Sequence, residues 1–359
     1  MNTIFKQDLT QLSRRDFFSR AGMGLLGLFG LPFLGRYERM ERINKWPGSN
    51  NNEAIRMGRA TDDSVPVYDR PSFSGKLKRM YYRDVIFNID EVTFGDDQPA
   101  YNRVWYRVNN EGYAHSGKIQ PVTLNLNKPA ALIPVGGQLA EVSVPFTDTV
   151  ASLKDPSLVA YRFYYGTVHW VKAIQIGPKG EAWYTIYDDK FKKNYYARAE
   201  HLRLLEPGEI APISPEVALE EKRIEVWLQD QLVIAYEKNI PVMITKTATG
   251  GRYIDGDYST PTGNYLTSRK RPSRHMASED LAAANSYDLP GVPWVSYLTK
   301  SGISFHGTFW HNDFGKTRSH GCVNLPTTAA QWIYRWTLPN VPFDKQTFDA
   351  ETGTRVFVL

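Results

Sequence analysis

The chain has a single cysteine, Cys322, within Ser319-His320-Gly321-Cys322-Val323-Asn324-Leu325. Upstream lie His306-Gly307-Thr308 and, further back, Ser259-Thr260-Pro261-Thr262-Gly263-Asn264-Tyr265. A thiol attacks as its thiolate, which is scarce at neutral pH, so a thiol nucleophile needs a base beside it. An imidazole can serve, provided a third group on its other ring nitrogen holds it in place. His306 closes the apolar run Ile303-Ser304-Phe305, which reads as a strand, and Cys322 sits in a glycine-flanked turn ahead of a helix. With 15 residues between them, a strand end and a turn can meet at a sheet edge. Gly321 removes bulk beside the sulfur, and the backbone N–H groups of Gly321 and Cys322 are candidate donors to an oxyanion.

The same residues admit blander readings. An isolated cysteine is usually a small buried hydrophobe. With seven histidines in the chain, a His–Cys neighbour can arise by chance. His306, His311, His320 and Cys322 also make an acceptable zinc set of three imidazoles and one thiolate.

The elements that must position these groups are mainly short strands. Aromatic residues make up 13% of the chain, with 22 Pro and 27 Gly, which favours strands and turns over long helices. Ile224, Val226 and Leu228 alternate with polar neighbours, and Leu232–Tyr236 and Pro241–Thr245 follow after turns, predicting a run of antiparallel strands. Past Leu325 the pattern turns helical: Thr328-Ala329-Ala330-Gln331 fits a capping box, and Trp332, Ile333 and Trp336 share a face.

Ahead of this region, Leu205–Pro215 carries three prolines and predicts an extended linker. Between Met57 and Pro121, Val104-Trp105-Tyr106-Arg107-Val108 runs through a turn into Gly112-Tyr113-Ala114; Phe163–Val171, Glu181–Tyr187 and Tyr195-Tyr196-Ala197 give a second pass of the same kind. The arrangement resembles bacterial SH3-like barrels in tandem, a repeat of pattern rather than of letters. Their Tyr and Trp residues would either fill two small cores or line grooves for peptide or glycan.

Residues 1–35 read as an export signal. Ser13-Arg14-Arg15-Asp16-Phe17-Phe18 resembles a twin-arginine pattern, and the uncharged Ala21–Gly35 stretch, 15 residues broken by Pro32, is shorter than a bilayer span. Residues 36–56 read as a charged, Asn-rich spacer. The signal holds a net charge of +2 out of the chain's +5, so the basic balance does not argue for nucleic acid. One cysteine also excludes a disulfide framework and sites built from several thiolates.

The separate elements T-P-T-G, H-G-T, the twelve residues from Gly307 to Arg318, and S-H-G-C occur in order. With them, residues from about 222 to 359 resemble the L,D-transpeptidase catalytic domain, the YkuD-type fold. The resemblance implies a β-sandwich-like domain with a short helix after the cysteine, preceded by signal (1–35), spacer (36–56), barrels (57–121 and 122–206) and linker (207–221). It implies Cys322 as nucleophile, His306 as general base, the Gly307 carbonyl orienting that histidine, and His320 shaping the site. Ser319 and Gly321 match the turn, while Thr260–Gly263 match a loop read as structural. Many members place Arg two residues after the cysteine; here Asn324 stands there, so Asn324, with Arg318 or Lys316, is a candidate substrate contact. The implied substrates are peptidoglycan stem peptides, with carbapenems as inhibitors and no metal or organic cofactor. Water as acceptor would make a carboxypeptidase, and an idle catalytic domain would leave a wall-binding protein. The segment His275–Lys300 is a candidate lid, and membrane contact is expected only through the N-terminal segment.

Overall fold

The computed structural model describes residues 57–96, 98–279, 281 and 286–359. The expected signal and spacer lie outside the described residues. Among the described residues no helix is long and apolar enough to cross a membrane.

The protein is mainly β. Residues 57–122 form a seven-stranded antiparallel sheet: Met57–Ala60, Val65–Tyr68, Leu77–Tyr81, Ile86–Phe94, Val104–Val108, Gly112–His115 and Ile119–Val122. In space the third strand is followed by the second, sixth, fifth, fourth, first and seventh. A second seven-stranded sheet, from Gln138–Val142 to Leu202–Leu204, has the same order. In both, a 3-10 turn precedes the last strand: Ser116–Lys118 in one and Ala199–His201 in the other. Trp105 and Trp183 take equivalent places on the fifth strands, and each indole lies where Gly95 or Gly177 leaves no Cβ in its way. Trp105, Tyr106, Trp170, Trp183 and Tyr184 are all buried, so these aromatics fill the interior rather than line grooves.

Residues 222–359 build two five-stranded sheets around a helix. The first runs, in spatial order, Ile240–Lys246, Leu232–Glu237, Lys222–Trp227, Arg355–Val358 and Gly263–Leu266. The second runs Val323–Leu325, Ser304–Gly307, Asp288–Tyr297, Arg269–Ala277 and Phe348–Asp349. The three strands expected to run antiparallel do so; beyond them Lys222–Trp227 pairs in parallel with Arg355–Val358, and Ser304–Gly307 with Val323–Leu325. The alternation Ile224, Val226, Val233, Ala235, Val356, Val358 turns one apolar face inward, where Ile333 and Trp336 of the helix and Phe305, Val323 and Leu325 of the other sheet meet it.

That helix, Thr327–Trp336, starts one residue before the expected capping box. Pro326 is its N-cap, and no side chain caps it. The firm end is the other one. Lys270 Nζ donates to the carbonyls of Tyr334, Thr337 (2.8 Å) and Pro339 (2.9 Å), and Lys222 Nζ donates to Trp336 O (3.1 Å). Two lysine side chains thus satisfy carbonyls that a helix end leaves without partners.

The proline-rich segment is not an extended tether. Pro207–Ile210 is a helical turn with its capping box made by Glu206 and Glu209, and buried Ile210 joins the catalytic core. Ile213 N–H donates to Arg335 O at 3.2 Å, and Arg335 Nε donates to Ala211 O at 2.8 Å. One apolar side chain among the prolines ties the segment down.

Both seven-stranded sheets pack on the catalytic region. His275, 3% exposed, lies between Asp188 on its Nδ1 and Asp288 on its Nε2. Burial alone would lower its pKa, but hydrogen bonds to the two carboxylates outweigh burial and hold it above the ordinary value. Arg59 of the first sheet is 2% exposed and fully engaged. It donates to Gln120 Oε1 (3.1 and 2.8 Å), to Asp84 Oδ1 (2.8 Å) and to the carbonyl of Phe309 (2.7 Å), and stacks 4.1 Å from the Tyr164 ring. Asp84 also accepts from Arg162 at 3.0 Å, so the network joins both sheets to the segment after His306. Nearby, Asn312 N–H donates to Gly117 O at 3.1 Å.

Candidate active site

His306 and Cys322 are brought together by a parallel ladder. Ser304–Gly307 pairs with Val323–Leu325 so that Phe305 faces Val323 and His306 faces Asn324. Side chains alternate along a strand, so Phe305, Val323 and Leu325 enter the core while Ser304, His306, Cys322 and Asn324 share the other face.

His306 is 2% exposed, and its Nδ1 lies 3.1 Å from Gly307 O. A carbonyl only accepts, so Nδ1 carries the proton and Nε2 is left as the basic nitrogen. Burial pushes the imidazole pKa down to about 4, against a smaller upward effect of the Gly307 carbonyl. The ring is therefore neutral at physiological pH. Cys322 is half-buried, and burial raises its thiol above the ordinary value, opposed by hydrogen bonding from Ser304. Its sulfur lies 3.7 Å from Ser304 Oγ and 3.8 Å from Gly302 O. No hydrogen bond joins sulfur to imidazole among the described residues; the two are poised as neutral thiol and neutral base.

The turn that carries the cysteine is braced on all sides. Gly321 has φ +113°, a backbone conformation that favours glycine. Its N–H donates to Ser319 Oγ at 3.2 Å, and Ser319 Oγ donates to Cys322 O. Thus one of the two expected oxyanion donors is engaged within the turn. Thr260 of the T-P-T-G loop is buried; its hydroxyl donates to Gly321 O at 2.8 Å and accepts from Gly250 N–H at 2.9 Å. That loop holds the turn. Gly250 approaches so closely that a Cβ there would lie 2.0 Å from Tyr258 O. Thr249 O accepts from the N–H groups of Arg318 (2.9 Å) and Ser319 (3.1 Å), and Gln231 fixes Thr249 through a 2.7 Å bond to its hydroxyl.

The other candidates lie further from the sulfur. His320 is exposed, its ring 4.4 Å from that of Tyr258. Asn324 is 1% exposed, and its amide lies 3.2 Å from His311 Nε2. Since His311 Nδ1 accepts the Asp313 N–H at 3.2 Å, the neutral His311 ring carries its proton on Nε2 and faces Asn324 Nδ2, while Asn324 Oδ1 has no partner among the described residues; exchanging the amide's oxygen and nitrogen pairs both. Arg318 and Lys316 both bind Asp313 Oδ2, at 3.1 and 2.8 Å. The residue in place of the family's arginine is thus turned inward, and the two cations offered in its stead hold a loop carboxylate. Among the described residues no three His, Cys, Asp or Glu side chains gather to hold a metal, and the four residues of the zinc reading have separate partners.

Of the expected lid, His275–Ala277 end the strand Arg269–Ala277 and Asp288–Tyr297 pairs with that strand, anchored by buried Val292, Trp294 and Val295. Tyr287, between them, is raised first by burial and then by the charge of Cys322, which puts its phenol in the sulfur's vicinity. Sequence reasoning missed Ser304, Asp313 and Tyr287, and offered His311 only as a zinc ligand. Ser304 had a signal: two residues before His306 on a strand, it must share that face.

The site thus presents a neutral imidazole with a fixed tautomer and a free thiol on one face of the sheet. The family model of the L,D-transpeptidase catalytic domain (YkuD) matches residues 221–358. Among solved structures, an L,D-transpeptidase from Mycobacterium smegmatis is 20% identical at a TM-score of 0.31, covering 39% of this chain and 58% of its own. This chain therefore spans a little over half of that relative. L,D-transpeptidase 3 from Mycobacterium tuberculosis is 14% identical at 0.31, covering 65% of this chain and 98% of its own. The catalytic domain of the E. faecium enzyme is 21% identical at 0.30, covering 39% and 98%. No curated protein matches the chain.

Proposed function

We propose that the protein is an exported L,D-transpeptidase that forms 3→3 cross-links between peptidoglycan stems through a thioester on Cys322. The observation that carries the reading is the shared face of His306 and Cys322 on adjacent parallel strands, inside a region of that family. His306 Nε2 takes the thiol proton as sulfur attacks the carbonyl of the third stem residue. It returns the proton to the nitrogen of the departing D-alanine, leaving the thioester. An amine of a second stem then attacks; His306 takes a proton from that amine and delivers it to the leaving sulfur, which restores both groups. Residues 1–35 would carry the chain across the membrane, and the two seven-stranded sheets would be SH3-like modules joined to the catalytic domain. Carbapenems, with their strained acyl group, would acylate the same sulfur.

Incubation with tetrapeptide muropeptides tests the reaction. The expected product is a cross-linked dimer with release of one D-alanine per link. Tripeptide monomer alone would make the enzyme a carboxypeptidase, and unchanged tetrapeptide would leave a wall-binding protein.

A further inference from the structure

Among the described residues, the side chain that hydrogen-bonds the thiol is Ser304. Ser304 is fully buried, and its hydroxyl has Cys322 Sγ, at 3.7 Å, as its hydrogen-bond partner. The geometry follows from the ladder: Ser304 stands one step before the Phe305–Val323 pair, beside Cys322, and shares its face. On the sulfur's other side is Gly302 O at 3.8 Å, a carbonyl that accepts from the thiol and repels a thiolate. When the proton leaves, that contact turns unfavourable, while a hydroxyl free to rotate can aim its hydrogen at the sulfur.

We propose that Ser304 is a catalytic residue: its hydroxyl donates a hydrogen bond to Cys322 Sγ as His306 removes the thiol proton, and holds the thiolate for attack. The proton goes to His306 Nε2 and Ser304 keeps its own, so no bond to Ser304 forms or breaks. The role rests on the thiol-nucleophile reading above. It answers a need peculiar to this pocket. The imidazole is buried and neutral at rest, so an imidazolium arises only once the proton has moved, and a donor already in place replaces part of the water the thiolate lost. Among the described residues, the other ionisable side chains placed near the sulfur are Tyr287, with its phenol, and exposed His320, two residues before it.

The test is the pH dependence of Cys322 alkylation by iodoacetamide, followed by intact mass on the full chain. In Ser304→Ala the midpoint is expected to move up by about one pH unit, with carbapenem acylation roughly tenfold slower at pH 7. Ser304→Thr keeps the hydroxyl and should return both towards wild type. Thermal unfolding confirms that each variant is folded. Identical alkylation profiles for wild type and Ser304→Ala, or equal shifts for Ala and Thr, would overturn the proposal. Because alkylation needs no peptidoglycan or carbapenem, this outcome is separate from failure of the transpeptidase reading, which would show as wild-type enzyme that alkylates but does not acylate.

Discussion

Replacing His306 with alanine should slow acylation of Cys322 by about 10²–10⁴-fold, the usual worth of a positioned general base, with no loss of fold. The reason lies in the two neutral partners. Burial raises the thiol and lowers the imidazole, so little thiolate is present before the base acts. The wild-type pH profile carries the same information. His306 serves as a base only when neutral, and its pKa is lowered to about 4. Acylation should therefore hold through pH 6 and fail as pH drops towards 4, where an ordinary histidine would fail near 6.5. Stopped-flow measurement of carbapenem acylation from pH 4 to 9 checks both statements. A wild-type acid limb near 6.5, or a His306→Ala variant that acylates at the wild-type rate, would contradict them.

Arg59→Met should destabilise the protein by about 3–5 kcal/mol, the range for breaking a buried ion pair from one side. Methionine matches the stem but leaves Asp84, Gln120 and the Phe309 carbonyl short of a donor. The effect should sit towards the lower end, because Asp84 keeps Arg162. Urea unfolding gives the magnitude, and hydrogen exchange gives the place: amides of residues 308–318 should lose protection, since Phe309 is where the first sheet grips this segment. An unchanged unfolding midpoint with unchanged protection would show that the bridge does not matter. The N-terminal sheets, on this account, are part of the catalytic scaffold as well as a spacer.

The sequence made some of this architecture legible and hid the rest for physical reasons. Cys322 and His306 could be singled out because residue type and local spacing carry the chemistry; the Gly307 carbonyl, 3.1 Å from His306 Nδ1, came only with the family resemblance. The tandem repeat was legible in Trp105 and Trp183, which occupy equivalent strands of sheets with one common order. The Arg59–Phe309 contact spans 250 positions and leaves no local trace. The inward turn of Asn324 depended on His311, 13 residues away, whose partner only the folded loop supplies. The proline-rich linker was misread because proline fixes local conformation but does not prevent docking, and Ile210 provided the apolar anchor. The helix start was misread by two residues because Thr328, the expected N-cap, lies inside a helix whose N-cap is Pro326 and which has no side-chain cap.

The central claim is that Cys322 is an acylating nucleophile, and the most direct measurement is the intact mass of the full chain after incubation with a carbapenem. Wild type should gain the mass of one carbapenem, located by peptide mapping on Cys322, while Cys322→Ala gains none. A folded wild-type protein that stays unmodified, or an adduct that persists in Cys322→Ala, would contradict the account.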